Sequence, residues 1–255
     1  MDFIHRSKQH CREKRLRSGA RQTFRADVFL ECAMAIYLLQ LLAWSVFIAA
    51  LILWPAGTLA FPGAWVVIAF FLLGGLAMIL WLSKHSPRLL RERMASPLQR
   101  DQKPWDRVWL MFFVLAFLGW ISFMGWDAAR TGFRAVPPWL QVLGGLGMVV
   151  NMLGTWWTFR ENAFAAPVVK IQKDQKVIDT GPYAIVRHPM YASALFFLIG
   201  MPLLLGSWLG LAFSVIFIFG IAWRAVHEER ALTAELSGYQ AYAARVRYRL
   251  IPFVW

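Results

Sequence analysis

The residues with chemistry to offer are concentrated in the last third of the 255-residue chain. Thr180-Gly181-Pro182-Tyr183 is followed by Arg187-His188-Pro189-Met190-Tyr191. Gly-Pro makes a turn. Pro189 disfavours helical geometry at His188 and suits the first turn of a helix, so His188 is expected just before a helix start. The early amides of such a helix, at its positive dipole end, form a ready site for a carboxylate. Tyr183 and Tyr191 add aromatic faces that suit an adenine ring or a cation. The same residues also fit an interfacial aromatic belt with a helix-capping histidine.

A second group is Arg224-Ala225-Val226-His227-Glu228-Glu229-Arg230. Arg224 and Glu228 stand four apart, share a helix face and can pair. A charge where an apolar run ends is costly unless paired or functional. Two readings stay open: a structural salt bridge, or a carboxylate that takes ribose hydroxyls or an amine beside a guanidinium that orients an anionic substrate. Upstream, Val169–Asp179 (VKIQKDQKVID) offers the Gln172 and Gln175 amides next to Val177 and Ile178, and is equally readable as a solvated interfacial loop. Gly238-Tyr239-Gln240-Ala241-Tyr242 and Arg245–Pro252 read as a basic, aromatic amphipathic tail at an interface.

The elements that must position these groups are membrane helices. Hydrophobic residues make up 59% of the chain and charged residues 16%, with 14 Trp and 20 Phe, more apolar surface than a soluble domain can hide. The expected fold is all-α, a polytopic membrane helical bundle. Four long spans are expected at 28–54, 60–82, 108–126 and 139–159. A C-terminal hairpin of two shorter apolar runs, 190–205 and 209–223, follows, and then an amphipathic tail helix over about 225–247. The chain thus divides into a basic arm (1–27), four spans (28–160) and a polar connector, hairpin and tail that carry the chemistry (161–255).

The net charge of +13 would suit a nucleic-acid binder, but the charges lie between apolar runs and form no single polar face. Segments 1–27, 83–107, 160–190 and 224–255 hold 25 of the 27 Lys and Arg residues, and the loops 54–64 and 127–138 hold the other two. The positive-inside rule puts both termini, the connector and the tail helix on the cytoplasmic side. The absence of a eukaryotic retention signal and the compact tail suggest a bacterial inner membrane. The two cysteines, Cys11 and Cys32, form no CxxC spacing, so neither a zinc motif nor a disulfide framework is supported.

The ordered set GPY, RHPMY, an apolar hairpin, RxxxEExxL and GYxxYxxRVxxRLIP resembles the isoprenylcysteine carboxyl methyltransferase family. More broadly it is similar to the superfamily of membrane methyltransferases that includes phospholipid N-methyltransferases. The resemblance covers about residues 150–255. It implies S-adenosylmethionine as cofactor, bound at the cytoplasmic edge of a helical bundle, and a lipophilic or lipid acceptor arriving from the bilayer. By that resemblance Tyr183, His188, Pro189, Met190, Tyr191 and Glu228 fall on the cofactor site, with Gln172, Gln175 and Ile178 as further contacts. Arg224 falls on the substrate side. The connector is shorter than in the isoprenylcysteine enzymes, and Ala192-Ser193 stands where a Gly often follows, so the acceptor is less defined than the cofactor.

Methyl transfer is an in-line displacement that needs positioning and a dry pocket rather than a nucleophilic triad. A carboxylate or thiolate acceptor needs no strong base. An amine acceptor must lose a proton, to which His188 or Glu229 is matched. Two other readings remain: an NADPH-dependent membrane reductase of the sterol or steroid type, which carries a related RHP-Tyr motif, and a non-catalytic membrane scaffold.

Overall fold

The computed structural model describes residues 33–255 apart from 97, 100 and 132–135. The basic arm and the start of the first expected span lie outside these residues. The chain divides after Ala43 into two units. Of the first, the described part is the opening of α1 (Ala33–Ala56), which continues into the second unit. The second unit, Trp44–Trp255, holds everything that follows.

After α1 come α2 (Pro62–His85), α3 (Pro87–Met94), α4 (Pro104–Thr131) and α5 (Pro138–Glu161). A long connector with one 3-10 turn at Gly181–Ala184 leads to α6 (Pro189–Leu205), α7 (Trp208–Glu235) and α8 (Tyr239–Arg245). Five of these helices begin at proline. The missing N–H of a proline costs nothing at a first helical position, and its fixed φ starts the turn.

α1, α2, α4, α5 and α7 are each 24 or 28 residues long, about 36–42 Å, and apolar enough to cross a bilayer. Only 17–33% of their apolar windows is buried inside the protein. Side chains such as Leu73, Phe112, Leu146, Leu153 and Phe219 point outward. Without water to solvate them, they need hydrocarbon around them. The protein is an integral membrane protein with an all-α fold.

Two boundaries differ from the sequence expectation. The second arm of the hairpin is not short: α7 runs 28 residues, so it passes through the apolar layer and carries Arg224, Glu228 and Glu229 on the turns beyond Trp223. The tail is not one helix over 225–247. It breaks at 236–238, where Gly238 turns at φ 84°, and α8 resumes in a new direction. The segment 83–107, read only as polar, holds the short helix α3.

Within the second unit, α5 and α6 pack most closely. A Cβ at Gly144 would lie 2.5 Å from the Gly200 carbonyl oxygen, and one at Gly200 would strike the Gly144 carbonyl oxygen. Small residues at such a crossing let two backbones touch, which is how helices associate where lipid removes the hydrophobic drive. This contact fixes α6, and hence His188 and Tyr191 at its start, against the end of α5. A core of Ile52, Trp120, Met124, Met148, Leu198, Met201 and Phe217 fills the space between α1, α4, α5, α6 and α7.

Candidate active site

The end of α5, the start of α6, the far turns of α7 and the start of α8 converge on one cavity. About 830 Å3 of space lies between them, open solvent included. The connector forms the opposite wall. Its course is set by side-chain bonds. Asn162 closes α5, accepts from the Phe164 amide (2.8 Å) and donates to the Tyr183 hydroxyl oxygen (2.7 Å). Gln172 donates to the Phe164 carbonyl (2.8 Å), and its amide N–H donates to Gln175 Oε1 (2.8 Å).

Eight of the nine sequence-predicted cofactor residues line this cavity: Gln175, Ile178, Tyr183, His188, Pro189, Met190, Tyr191 and Glu228. Gln172 is buried behind the wall and braces it. His188 sits at the N-cap position of α6 as expected, but its side chain makes no capping hydrogen bond. Its ring lies parallel to that of Tyr191, with centroids 5.4 Å apart. The Tyr191 hydroxyl donates to Glu228 Oε2 at 2.6 Å. Burial raises the Tyr183 phenol well above its ordinary range, so it stays protonated.

The two residues predicted as catalytic stand elsewhere. Neither Arg224 nor Glu229 is on the cavity wall. Glu229 is buried beneath it and accepts from Arg187 Nε (2.6 Å) and Nη2 (3.2 Å), Arg249 Nε (2.8 Å) and His188 Nε2 (3.2 Å). The expected Arg224–Glu228 pair is not formed. Arg224 Nε donates instead to Asp106 Oδ1 (2.8 Å), and Nη2 donates to the Pro167 carbonyl (2.8 Å). Its guanidinium lies between the Trp109 and Tyr191 rings, 4.8 and 5.7 Å from their centroids.

Several residues escaped the sequence reading. Arg187 donates through Nη1 to the Val246 (2.8 Å) and Arg247 (3.0 Å) carbonyls, and the Arg187 and His188 amides bond to the Tyr248 and Arg249 carbonyls. The chain's end is thereby sewn to the RHP motif. Asp106, fully buried, ties three segments: besides Arg224 it accepts from Gln102 Nε2 (2.9 Å) and the Val169 amide (2.8 Å). Arg93 of α3 reaches the Ala165 carbonyl (3.3 Å) and lies 4.6 Å from the centre of the Phe159 ring, where burial lowers its guanidinium to about 10. Tyr239 and Tyr242 complete the cavity. The repeated tyrosine spacing in the tail was their signal.

This arrangement offers a carboxylate, a helix start and several phenols around a solvent-open cleft at the edge of an apolar bundle. Residues 139–239 match the phospholipid methyltransferase family. The match takes in every cavity-lining residue except Tyr242. It lies in the superfamily of membrane methyltransferases to which the motifs pointed, and it supports a membrane methyltransferase. No curated protein matches the chain. Asp106 and Arg93, which brace the connector, lie outside the match.

Proposed function

We propose that the protein is an S-adenosylmethionine-dependent methyltransferase that modifies a lipophilic acceptor at the cytoplasmic face of its membrane. The observation that carries this reading is the convergence of Glu228, Tyr191, Tyr183 and the start of α6 on one cavity inside the matched segment. Residues 161–255 are then the catalytic region.

The donor set fits the cofactor. The first amides of α6, after His188 and Pro189, suit the carboxylate of the amino-acid part. Glu228, with one oxygen already engaged by Tyr191, has lone pairs left for ribose hydroxyls or an ammonium. Met190, Gln175 and Ile178 supply walls of intermediate polarity, and the buried Tyr239 hydroxyl has no hydrogen-bond partner among the described residues. The cofactor, when bound, supplies an electrophilic methyl group. The chain holds it and excludes water from it.

Glu229 takes a different part from the one first assigned, while Arg224 keeps its place on the substrate side. Glu229, surrounded by two guanidiniums and an imidazole, serves as a positioning carboxylate for His188 and Arg187 rather than as a proton acceptor. Arg224 is held by Asp106 beside the cavity and keeps Nη1 for an anionic group on the acceptor. Next to it, on the lipid side of the Trp109 ring, a groove between α4 and α7 is lined by apolar and aromatic side chains including Trp105, Phe112, Phe113 and Ile216. That lining supports a lipophilic acceptor.

The test is calorimetric binding of S-adenosylmethionine and NADPH to the detergent-purified chain, side by side, followed by transfer of labelled methyl into a membrane lipid extract. Binding of the first alone with label in the lipid phase is the expected result. Binding of NADPH alone moves the protein to the reductases, and binding of neither leaves a scaffold.

A further inference from the structure

Segment 246–255 carries an apolar patch that the proposed reaction does not use. Ile251 is 44% exposed, Phe253 88% and Val254 75%. Phe253 sits at φ 65°, a conformation that bulky side chains avoid. The turn is held because the Arg249, Leu250 and Ile251 amides all donate to the Trp255 main-chain oxygen (2.9, 3.1 and 3.2 Å). Backbone strain kept in place by converging bonds points to a use for the side chain it turns outward.

The depth of the patch follows from its partners. The Arg187 and His188 amides donate to the Tyr248 (2.9 Å) and Arg249 (3.0 Å) carbonyls, so the segment lies beside the residues that precede α6. The far end of α6 is tied through Ser207 to Asp127, at one edge of the hydrocarbon layer. α6 rises about 25 Å over its 17 residues, less than the roughly 30 Å of that layer. Its start therefore stands at the opposite edge and not in the solvent beyond it. Leu250, in the middle of the segment, is buried in the same core cluster as Tyr191, Ile221 and Ala225. Side chains that leave the segment at this depth meet lipid head groups.

Charge selects the lipid. Residues 236–255 include Arg245, Arg247 and Arg249 and no Asp or Glu. Arg245 pairs with Asp179 (2.6 Å) and Arg249 with Glu229 (2.8 Å), whereas Arg247 is exposed and pairs with no carboxylate among the described residues. An exposed apolar patch beside an unneutralised guanidinium is complementary to an anionic lipid surface.

We propose that segment 246–255 seats on anionic lipids: Ile251, Phe253 and Val254 enter the head-group layer, and Arg247 takes a lipid phosphate. The contact is independent of which cofactor the cavity holds.

The test uses the full chain in lipid nanodiscs, with Cys11→Ser, Cys32→Ser and Val254→Cys, the new thiol carrying the fluorophore acrylodan. The nanodiscs are phosphatidylcholine, with or without roughly a third phosphatidylglycerol. The label should be quenched by a spin label high on the lipid chain and shielded from acrylamide, a neutral quencher in the water. Phosphatidylglycerol should raise the ratio of shielded to open label about 5-fold, the worth of one arginine near an anionic surface, and Arg247→Gln should cancel that gain. Phe253→Ser should lower the shielding in both nanodiscs. A label open to acrylamide in both nanodiscs overturns the proposal. So does equal shielding in the two compositions, a gain that survives Arg247→Gln, or shielding indifferent to Phe253→Ser. Shielding that appears in detergent and grows with protein concentration would put a second copy on the patch and overturn it as well.

Discussion

Both ends of α4 bury an aspartate, and the two are treated differently. Asp106 and Asp127 stand 21 residues apart, about 31 Å along the helix, the thickness of the hydrocarbon layer. Asp106 is 0% exposed and faces a guanidinium, a side-chain amide and a backbone amide from α7, from the turn before α4 and from the connector. Asp127 is 2% exposed and accepts from the Ser207 hydroxyl at 2.6 Å, at the α6–α7 turn. One end neutralises its charge and uses it to tie mobile-length segments to the bundle. The other, among the described residues, joins two helix ends through the Ser207 hydroxyl. A buried charge is expensive in either place. At the Asp106 end that expense sets the wall of the proposed active site, and at the Asp127 end it sets only a turn.

The sharpest way to break this comparison is to remove Asp106. Asp106→Ala leaves Arg224 buried without its counterion, a loss of about 3–5 kcal/mol. It also frees Val169 and Pro167, hence the cavity wall. The expected results are a melting midpoint well below wild type and faster tryptic cleavage at Lys173 and Lys176, both exposed on the connector. A melting curve and cleavage rate like wild type would show that the latch does not hold the wall.

Next in size are the residues on the wall itself. Glu228→Ala and His188→Ala should each lower S-adenosylmethionine affinity by about 100-fold or more without unfolding the bundle, since each removes a group facing the cavity rather than one spanning it. Calorimetry of both variants, with circular dichroism to confirm the helices, checks this. Affinity unchanged in both would remove the site. Asp127→Ala should then show the converse pattern. It leaves the Ser207 hydroxyl without its acceptor and lowers stability by about 1–3 kcal/mol, while cofactor affinity stays as in wild type. A fall in affinity matching that of Asp106→Ala would mean that the two ends are coupled and the contrast is false.

How much of this was legible in the sequence follows the range of the interactions. Hydropathy over 20-residue windows located the spans, because lipid contact depends on each helix alone. Pro189 marked where α6 begins, whereas α2 and α4 start at Pro62 and Pro104 and not at the expected 60 and 108. The cavity-wall residues were legible as motifs because they sit on a turn and two helix ends whose local geometry is set by their neighbours. The partner of Arg224 was not legible. Glu228 stood at the right spacing, but Asp106, 118 residues away, took the guanidinium, and no periodicity reports a contact of that kind. Glu228 and Glu229 were told apart by the motif resemblance and not by helix periodicity. Successive residues on a helix point about 100° apart, so one faces the cavity and the other the Arg187–Arg249 cluster, and only the rotation of α7 decides which. The break at Gly238 was visible as a glycine but outweighed by the amphipathic pattern on either side.

The smallest predicted effect is the most discriminating test of the Asp127 end. Ser207 does two things with one oxygen: it donates to Asp127 and accepts from the Gly210 amide as the N-cap of α7. Removing a cap costs about 0.5–2 kcal/mol. The hydroxyl's bond to the Asp127 carboxylate adds a contribution of similar size. Ser207→Ala should therefore lower the melting midpoint modestly at neutral pH. Ser207→Thr, which keeps the oxygen, should restore most of the midpoint. A Ser207→Thr midpoint as low as that of Ser207→Ala would show that the shared oxygen is not what holds this end.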